Sequence, residues 1–98
     1  MKVHGIEIKP SHIELAQRKL LEVDAFDHGA LRSQLEAVGV PSYIKDRGYH
    51  FIAYGAASRI LVLWKKEKLI KPMSDNHGGY WEWTKKGLAS LITKSNKG

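Results

Sequence analysis

Residues 51–70, FIAYGAASRILVLWKKEKLI, hold the pattern that decides the fold. On a helix of about 100° per residue, one side of residues 51–67 is apolar, and it comprises Ala53, Ala57, Ile60, Leu61 and Trp64. The opposite side comprises Gly55, Ser58, Arg59, Val62 and Lys66. On that outer side the first turns carry small side chains, and basic side chains occur along its length. The pattern predicts a central helix whose outer face suits the close approach of an anionic partner.

Two further helices are predicted upstream of this one. Pro10 leads into Ser11-His12-Ile13-Glu14, which has capping-box spacing and predicts a helix over residues 11–23. Asp27 is expected to cap a second helix, in which Leu31, Leu35 and Val38 form the buried stripe. Gly39 is expected to end that helix in the left-handed conformation, and Pro41 prevents it from resuming. Residues 39–51 are then predicted to be a loop.

A β-hairpin and a short closing helix are predicted downstream. Residues 69–72 and 80–83 form its two strands, and turn-forming residues 73–79 join them. Trp81 and Trp83 share one face of the second strand and are expected to anchor the hairpin to the helices. Thr84 is expected to cap a helix over about residues 85–93, packed through Leu88, Leu91 and Ile92, before a disordered tail at 94–98.

Two motifs support a family resemblance. Ser58-Arg59-Ile60-Leu61, followed by Trp64 and Leu69-Ile70, resembles the end of the recognition helix and the next strand in winged helix-turn-helix proteins. Trp83-Thr84-Lys85-Lys86-Gly87 is similar to the Thr-x-x-Gly pattern that follows the wing in that family. The resemblance covers roughly residues 11–92. It implies an α+β, mainly α fold: a single winged-helix domain over residues 1–93 with a three-helix core, a two-stranded β-hairpin wing and a short C-terminal helix.

The resemblance also implies roles for individual residues. The helix at 51–67 would enter the DNA major groove, where Arg59 donates to a guanine edge and Val62 touches a thymine methyl group. Ser58 would donate to phosphate, and the wing at 73–79 would lie on the DNA backbone or in the minor groove. Further DNA contacts are expected from Lys65, Lys66, Lys71, Lys45, Arg47, His50, Asn76 and His77. Alternative interpretations stay open. Arg59 is also compatible with an exposed arginine that binds nothing, and Asn76 and His77 are also compatible with residues that only form a turn.

The charge is unevenly distributed along the chain. Residues 1–44 carry five Lys/Arg against six Asp/Glu, whereas residues 45–98 carry eleven against four. A basic half of this kind favours a polyanionic partner, although a solvated lysine face is the simpler alternative. The chain has no cysteine, which excludes disulfides and thiol chemistry. No apolar run approaches the roughly 18 residues of a membrane span, so a cytoplasmic protein, nucleoid-associated when bound to DNA, is expected.

The sequence holds no recognisable catalytic or metal-binding motif. The five histidines form no His-x-His or His-Glu-x-x-His pair, and no phosphate-binding glycine loop is present. Glu22, Asp24 and Asp27 lie at a helix end, where capping explains carboxylates better than acid–base chemistry. We therefore expect no catalytic residues, no metal and no cofactor, and a protein that is not an enzyme.

Two functions remain after these exclusions. The first is a small bacterial or phage transcriptional regulator or accessory DNA binder, whose partner is double-stranded DNA. The second is a winged-helix protein–protein interaction module that uses the apolar Val62 and Leu63, where long polar residues are common in the family. The long connection between the second and third helices favours this second function. Whether the chain pairs with itself or with another protein is open.

Overall fold

Three helices, one short helical segment and seven short strands make up the described part of the fold. The computed structural model describes residues 1–73 and 79–89. Its elements in chain order are β1 (Lys2–Val3), β2 (Ile6–Glu7), α1 (Pro10–Leu20), β3 (Ala25–Phe26), α2 (His28–Ala37), β4 (Tyr43–Lys45), β5 (Tyr49–Phe51), α3 (Ile52–Lys66), β6 (Ile70–Pro72) and β7 (Trp81–Trp83). Residues 85–89 add a fourth, short helical segment. The domain is therefore α+β, with small antiparallel sheets.

The start and end of α1 differ from prediction. The helix begins at Pro10, and its N-cap residue is Lys9, which makes no side-chain capping bond. The predicted capping box at Ser11 is therefore wrong. Proline fits the first helical position because an N–H there would have no partner inside the helix. The helix ends at Leu20, so Val23 lies outside it and is exposed.

The predicted signals of α2 are confirmed at both ends. The Asp27 carboxylate accepts a hydrogen bond from the Ala30 N–H at 2.8 Å. Gly39 has a φ of 111°, and its N–H donates to the Glu36 carbonyl at 3.1 Å. The N–H of Val40 donates to the Leu35 carbonyl at 3.0 Å, which completes a Schellman motif. A side chain would be strained at Gly39, so glycine is required there.

The buried side of α3 is confirmed at all five predicted positions, and Ile52 and Ala56 are buried as well. Its first turn has no side-chain cap. Instead, the N–H groups of Ile52 and Ala53 donate to the carbonyls of Ser42 and Pro41, at 3.0 and 3.1 Å. The segment that leads into β4 therefore satisfies backbone donors that a helix N-terminus leaves free.

A three-stranded sheet in the order β3-β7-β6 joins the helices to the C-terminal region. Phe26 pairs with Trp81 and Ile70 pairs with Trp83, both in antiparallel register. Trp83 is buried, and its Nε1 donates to the Leu20 carbonyl at 3.0 Å. Its anchoring role is therefore confirmed, whereas Trp81 is only half-buried.

The predicted loop at residues 39–51 is wrong, because β4 and β5 form an antiparallel hairpin within it. Tyr43 pairs with Phe51, and Lys45 pairs with Tyr49. The tip needs two positive φ angles, 57° at Arg47 and 125° at Gly48. Each strand has only three residues, which is too short for an alternating apolar and polar pattern to be recognised in the sequence.

A second hairpin, β1–β2, occupies the N-terminus, for which the sequence predicted no element. Its two-residue turn, His4-Gly5, has positive φ angles of 49° and 80°, as hairpin turns with the right twist require. Val3 and Ile8 are fully buried in the core. The N-terminal segment is therefore an integral part of the domain.

The predicted cap of the closing helix is confirmed. The Gly87 N–H donates to the Thr84 hydroxyl oxygen at 3.0 Å, and that hydroxyl donates to the Lys68 carbonyl at 2.6 Å. Leu88 does not pack inward as expected, since it is 43% exposed. Leu91, Ile92 and the tail 94–98 lie outside the described residues. Within residues 1–73 and 79–89, no helix has the length and apolar character to span a membrane.

Candidate nucleic-acid interface

The N-terminal half of the outer face of α3 is covered by the protein itself. A Cβ atom added at Gly55 would lie 2.9 Å from Cγ1 of Val3 in β1. Glycine at this position therefore permits close packing of β1 on the helix. The expectation that the small first turns leave room for an anionic partner is wrong, because β1 already fills that space.

Ser58 has a partner within the fold. Its Oγ lies 2.8 Å from Nε2 of His28 at the start of α2, and both side chains are half-buried. The His28 ring also packs against Tyr54, with 4.4 Å between the ring centroids. The Ser58 hydroxyl thus links α3 to α2, and its predicted contact with phosphate would compete with this bond.

Arg59 is exposed and borders β1. Its Nη1 donates a hydrogen bond to the backbone carbonyl of Lys2. The guanidinium has further N–H groups that this single bond does not use. The arrangement brings two cationic side chains, Arg59 and Lys2, to the edge where the N-terminal hairpin meets α3.

The C-terminal half of the outer face of α3 lies in solvent. Val62 is 66% exposed, and Lys65 and Lys66 are exposed beside it. The Lys65 ammonium lies 5.7 Å from the centre of the Trp81 ring, so it rests against the β6–β7 strands. A groove of about 540 Å³ runs along this surface, lined by Met1, Lys2, Ser58, Arg59, Val62 and Leu63. This half of the helix therefore combines cations with an apolar strip.

The predicted wing contributes less positive charge than its sequence implies. Lys71 in β6 forms an ion pair with Glu82 in β7 at 3.4 Å. Because an exposed pair of this kind is partly neutralised, Lys71 offers a weaker attraction to phosphate than a lone lysine. Asn76 and His77 lie outside the described residues.

The structure separates the other three predicted DNA contacts. Lys45 lies on the outward face of the β4–β5 hairpin, and its ammonium is 5.8 Å from the centre of the Tyr49 ring. His50 lies on the opposite face, with its ring 4.7 Å from that of His4. Arg47 lies at the hairpin tip. These three residues therefore do not share one face of the hairpin.

Four exposed aromatic rings that the sequence did not predict as a site form a cluster, which we call the aromatic platform. It consists of Tyr43, Tyr49, Phe51 and Tyr54. Three come from the outward face of the hairpin and the fourth from the first turn of α3. The spacing of Tyr43, Tyr49 and Phe51 was visible in the sequence, but only strand pairing places these rings side by side.

Neither the side-chain chemistry of the described residues nor similarity to known proteins assigns a function. Within residues 1–73 and 79–89, no group of three or more His, Asp or Glu side chains is arranged to hold a metal ion. The chain matches no protein-family model, no curated protein sequence and no solved structure.

Proposed function

We propose that this protein is a non-enzymatic winged-helix protein that binds duplex DNA through α3 and the β6–β7 hairpin. The observation that carries the proposal is the order of elements around the exposed helix. Helices α1, α2 and α3 precede two antiparallel strands, and β3 completes a sheet with them. This order agrees with a three-helix core followed by a wing, and it leaves the C-terminal half of the outer face of α3 in solvent.

The exposed stripe of α3 supports a groove contact. Arg59, Val62 and Lys66 follow one another at spacings of three and four residues, so they lie along one line of the helix. From Arg59 to Lys66 this line extends about 10 Å, the rise of about three base pairs. An arginine can pair with a guanine edge, and a lysine can bind phosphate as a point charge.

The β1–β2 hairpin restricts the part of α3 that can contact DNA. Because β1 packs on Gly55, the contact must use the helix from Arg59 onward. Lys2 lies beside Arg59 at the border of this surface and would add a cation to it. The proposed interface is therefore the C-terminal half of α3 with the edge of β1, and the β6–β7 hairpin lies beside it.

Binding to a labelled duplex, measured by fluorescence anisotropy at several salt concentrations, tests the proposal. We expect affinity to fall steeply as salt rises, because phosphate contacts release counterions. Lys66→Ala should weaken binding to all sequences and reduce the slope of log affinity against log salt by about 1. The matched control is Lys19→Ala, which removes an exposed lysine from α1, an element outside the proposed interface.

Two results would contradict DNA binding through α3. One is affinity for duplex that does not change between low and high salt. The other is an equal loss of affinity for Lys66→Ala and Lys19→Ala, because a diffuse positive charge would then explain the binding without a role for α3.

A second candidate function, a protein–protein interaction module, is favoured by the apolar strip on the same helix. Leu63 is 45% exposed and lines the groove together with Val62 and Met1. Apolar side chains that share an exposed groove are typical of protein contacts. Analytical ultracentrifugation of the native chain and of Leu63→Glu tests this function. A dimer that the substitution dissociates would support it, and a monomer at all concentrations would exclude self-association through this groove.

A further inference from the structure

The aromatic platform is the largest group of exposed rings in the described part of the chain. The exposed fractions are 53% for Tyr43, 61% for Tyr49, 60% for Phe51 and 54% for Tyr54. The Tyr43 and Tyr49 rings touch edge to face, with 5.4 Å between their centroids. Neighbouring exposed apolar groups of this size mark a binding surface more often than scattered single ones do.

The platform is held firmly by the backbone beneath it. Ile44 points to the opposite face of the hairpin and packs against the hydrophobic core. The base of the hairpin is tied to α3 by the bonds from Ile52 to Ser42 and from Ala53 to Pro41. Because two elements fix its position, the platform is preorganised, and little conformational entropy would be lost when a ligand binds to it.

A concave site lies at one edge of the platform. It has a volume of about 400 Å³ and is lined by Arg32, Glu36, Ser42, Tyr43, Phe51 and Tyr54. Cavities of this size hold small planar ligands. Three of the six lining residues are aromatic, and an arginine stands at the rim. A flat heteroaromatic ring with a negatively charged attachment would match both features.

We propose that the aromatic platform binds the unpaired bases of a single-stranded nucleic acid. The bases stack on Tyr43, Tyr49, Phe51 and Tyr54, and the phosphates lie near Arg32, Lys45 and Arg47. Stacking on aromatic side chains beside cations is the usual way in which proteins hold single strands without sequence preference. The inference is independent of duplex binding by α3, because a different surface and a different form of nucleic acid are involved.

Charge favours this occupant over a second copy of the chain. Arg32 lines the concave site and Lys45 lies against the Tyr49 ring, while Arg47 stands at the hairpin tip; the nearby carboxylates are two, Glu36 in the concave site and Asp46 at the tip. Glu36 already accepts a hydrogen bond from the Ser42 hydroxyl. The whole chain carries a net charge of +6, so two copies repel each other whereas a polyphosphate strand is attracted. The exposed groups on this surface are also rings and not aliphatic side chains, which suits base stacking.

Anisotropy titrations with labelled single strands of about 12 nucleotides test the inference. The probes are oligo(dT), oligo(U) and an abasic strand of equal length and charge. We expect both base-containing strands to bind more tightly than the abasic strand, and any difference between them shows whether DNA or RNA is preferred. Tyr49→Ala and Phe51→Ala should each weaken binding to base-containing strands on the order of tenfold, towards the affinity of the abasic strand.

Matched variants separate stacking from general effects. Tyr49→Phe keeps the ring and should bind as the native chain does. Leu15→Ala removes an exposed apolar side chain from α1 and should have no effect. Lys45→Ala leaves every ring in place and should weaken binding to base-containing and abasic strands alike, with a smaller salt slope. This variant tests the site even where the loss of a ring disturbs folding.

Three results would overturn the inference. They are equal affinity for base-containing and abasic strands, unchanged affinity of the alanine ring variants, and ring variants that dissociate a dimer while binding single strands normally. The last result would assign the platform to a protein contact. Failure of single-strand binding is distinguishable from failure of duplex binding. Lys66→Ala should lower the affinity for duplex alone, and Tyr49→Ala should lower the affinity for single strands alone.

Discussion

The two hairpins that flank α3 both contain aromatic residues, but they differ in how far those residues are exposed. The β4–β5 hairpin and the β6–β7 hairpin are both built from three-residue strands, and both carry several aromatic side chains. Trp83 of β7 is only 8% exposed, whereas Tyr49 of β5 is 61% exposed. Aromatic content alone therefore does not tell whether a strand supports the core or faces a partner.

The difference arises from the neighbours of each hairpin. Strand β7 pairs with β3 on one side and β6 on the other, whereas β4 and β5 pair only with each other. Behind β7, the Trp83 ring lies 5.2 Å from Phe26 and 5.3 Å from Trp64, centroid to centroid. Its N–H also has a buried acceptor, which a buried indole requires. The outward rings of β4–β5 have no element over them in the described part of the chain.

The largest expected effect comes from removing the buried ring. Trp83→Ala should lower the free energy of unfolding by about 3–5 kcal/mol, because it leaves a cavity beside Phe26 and Trp64 and removes the hydrogen bond that the indole N–H donates to the Leu20 carbonyl. Urea denaturation followed by circular dichroism measures the loss. Trp81→Ala is the control within the same strand and should cost less, since Trp81 is half-buried. Equal losses for the two variants would contradict an anchoring role specific to Trp83.

A smaller effect is expected where the chain docks after β7. A Cβ atom added at Gly87 would lie 2.1 Å from the Leu69 carbonyl oxygen. Because backbone atoms cannot yield as a flexible side chain can, Gly87→Ala should lower the free energy of unfolding by about 1–3 kcal/mol. Thermal and urea denaturation would measure it. Gly29→Ala is the matched control, since a Cβ there meets only the Asp27 carboxylate oxygen at 3.5 Å. Native stability of Gly87→Ala would show that this contact can relax.

The predictable parts of the fold are those that local signals specify. The core stripe of α3, the Asp27 cap and the Gly39 terminus each depend on residues a few positions apart, and all three are confirmed. The Thr84 cap is local as well, because its hydroxyl oxygen accepts from the Gly87 N–H three residues on, whereas the close approach that requires glycine there is to the distant Leu69 carbonyl. Short-range patterns of this kind are readable without knowledge of the tertiary fold.

The unpredicted parts depend on contacts between distant residues. Gly55 and Val3 are far apart in sequence, so only the folded chain reveals that β1 covers α3. The same holds for the bond between His28 and Ser58. The strands of β4–β5 are too short for a period to be recognised, which hid the aromatic platform. The exposure of Val62, Lys65 and Lys66 therefore agrees with the sequence pattern, whereas the contacts of Gly55 and Ser58 with other elements were not predicted.

The smallest expected effect on stability belongs to the aromatic platform. Tyr49→Ala should change the free energy of unfolding by no more than about 0.5 kcal/mol, because the ring is mostly exposed and its loss leaves no cavity. The inward residue of the same hairpin gives the contrast. Ile44→Ala should cost about 1 kcal/mol, since that side chain packs against the hydrophobic core. Urea denaturation of both variants under one set of conditions measures the difference.

The order of these two losses decides what the exposed rings are for. If Tyr49→Ala destabilises the chain as much as Ile44→Ala does, the platform contributes to folding and its exposure needs no partner to explain it. If Tyr49→Ala leaves stability unchanged and still weakens binding to oligo(dT), folding cannot be the reason for the ring. The two hairpins then differ in role as they differ in burial: β6–β7 holds the sheet to the helices, and β4–β5 presents rings to a ligand.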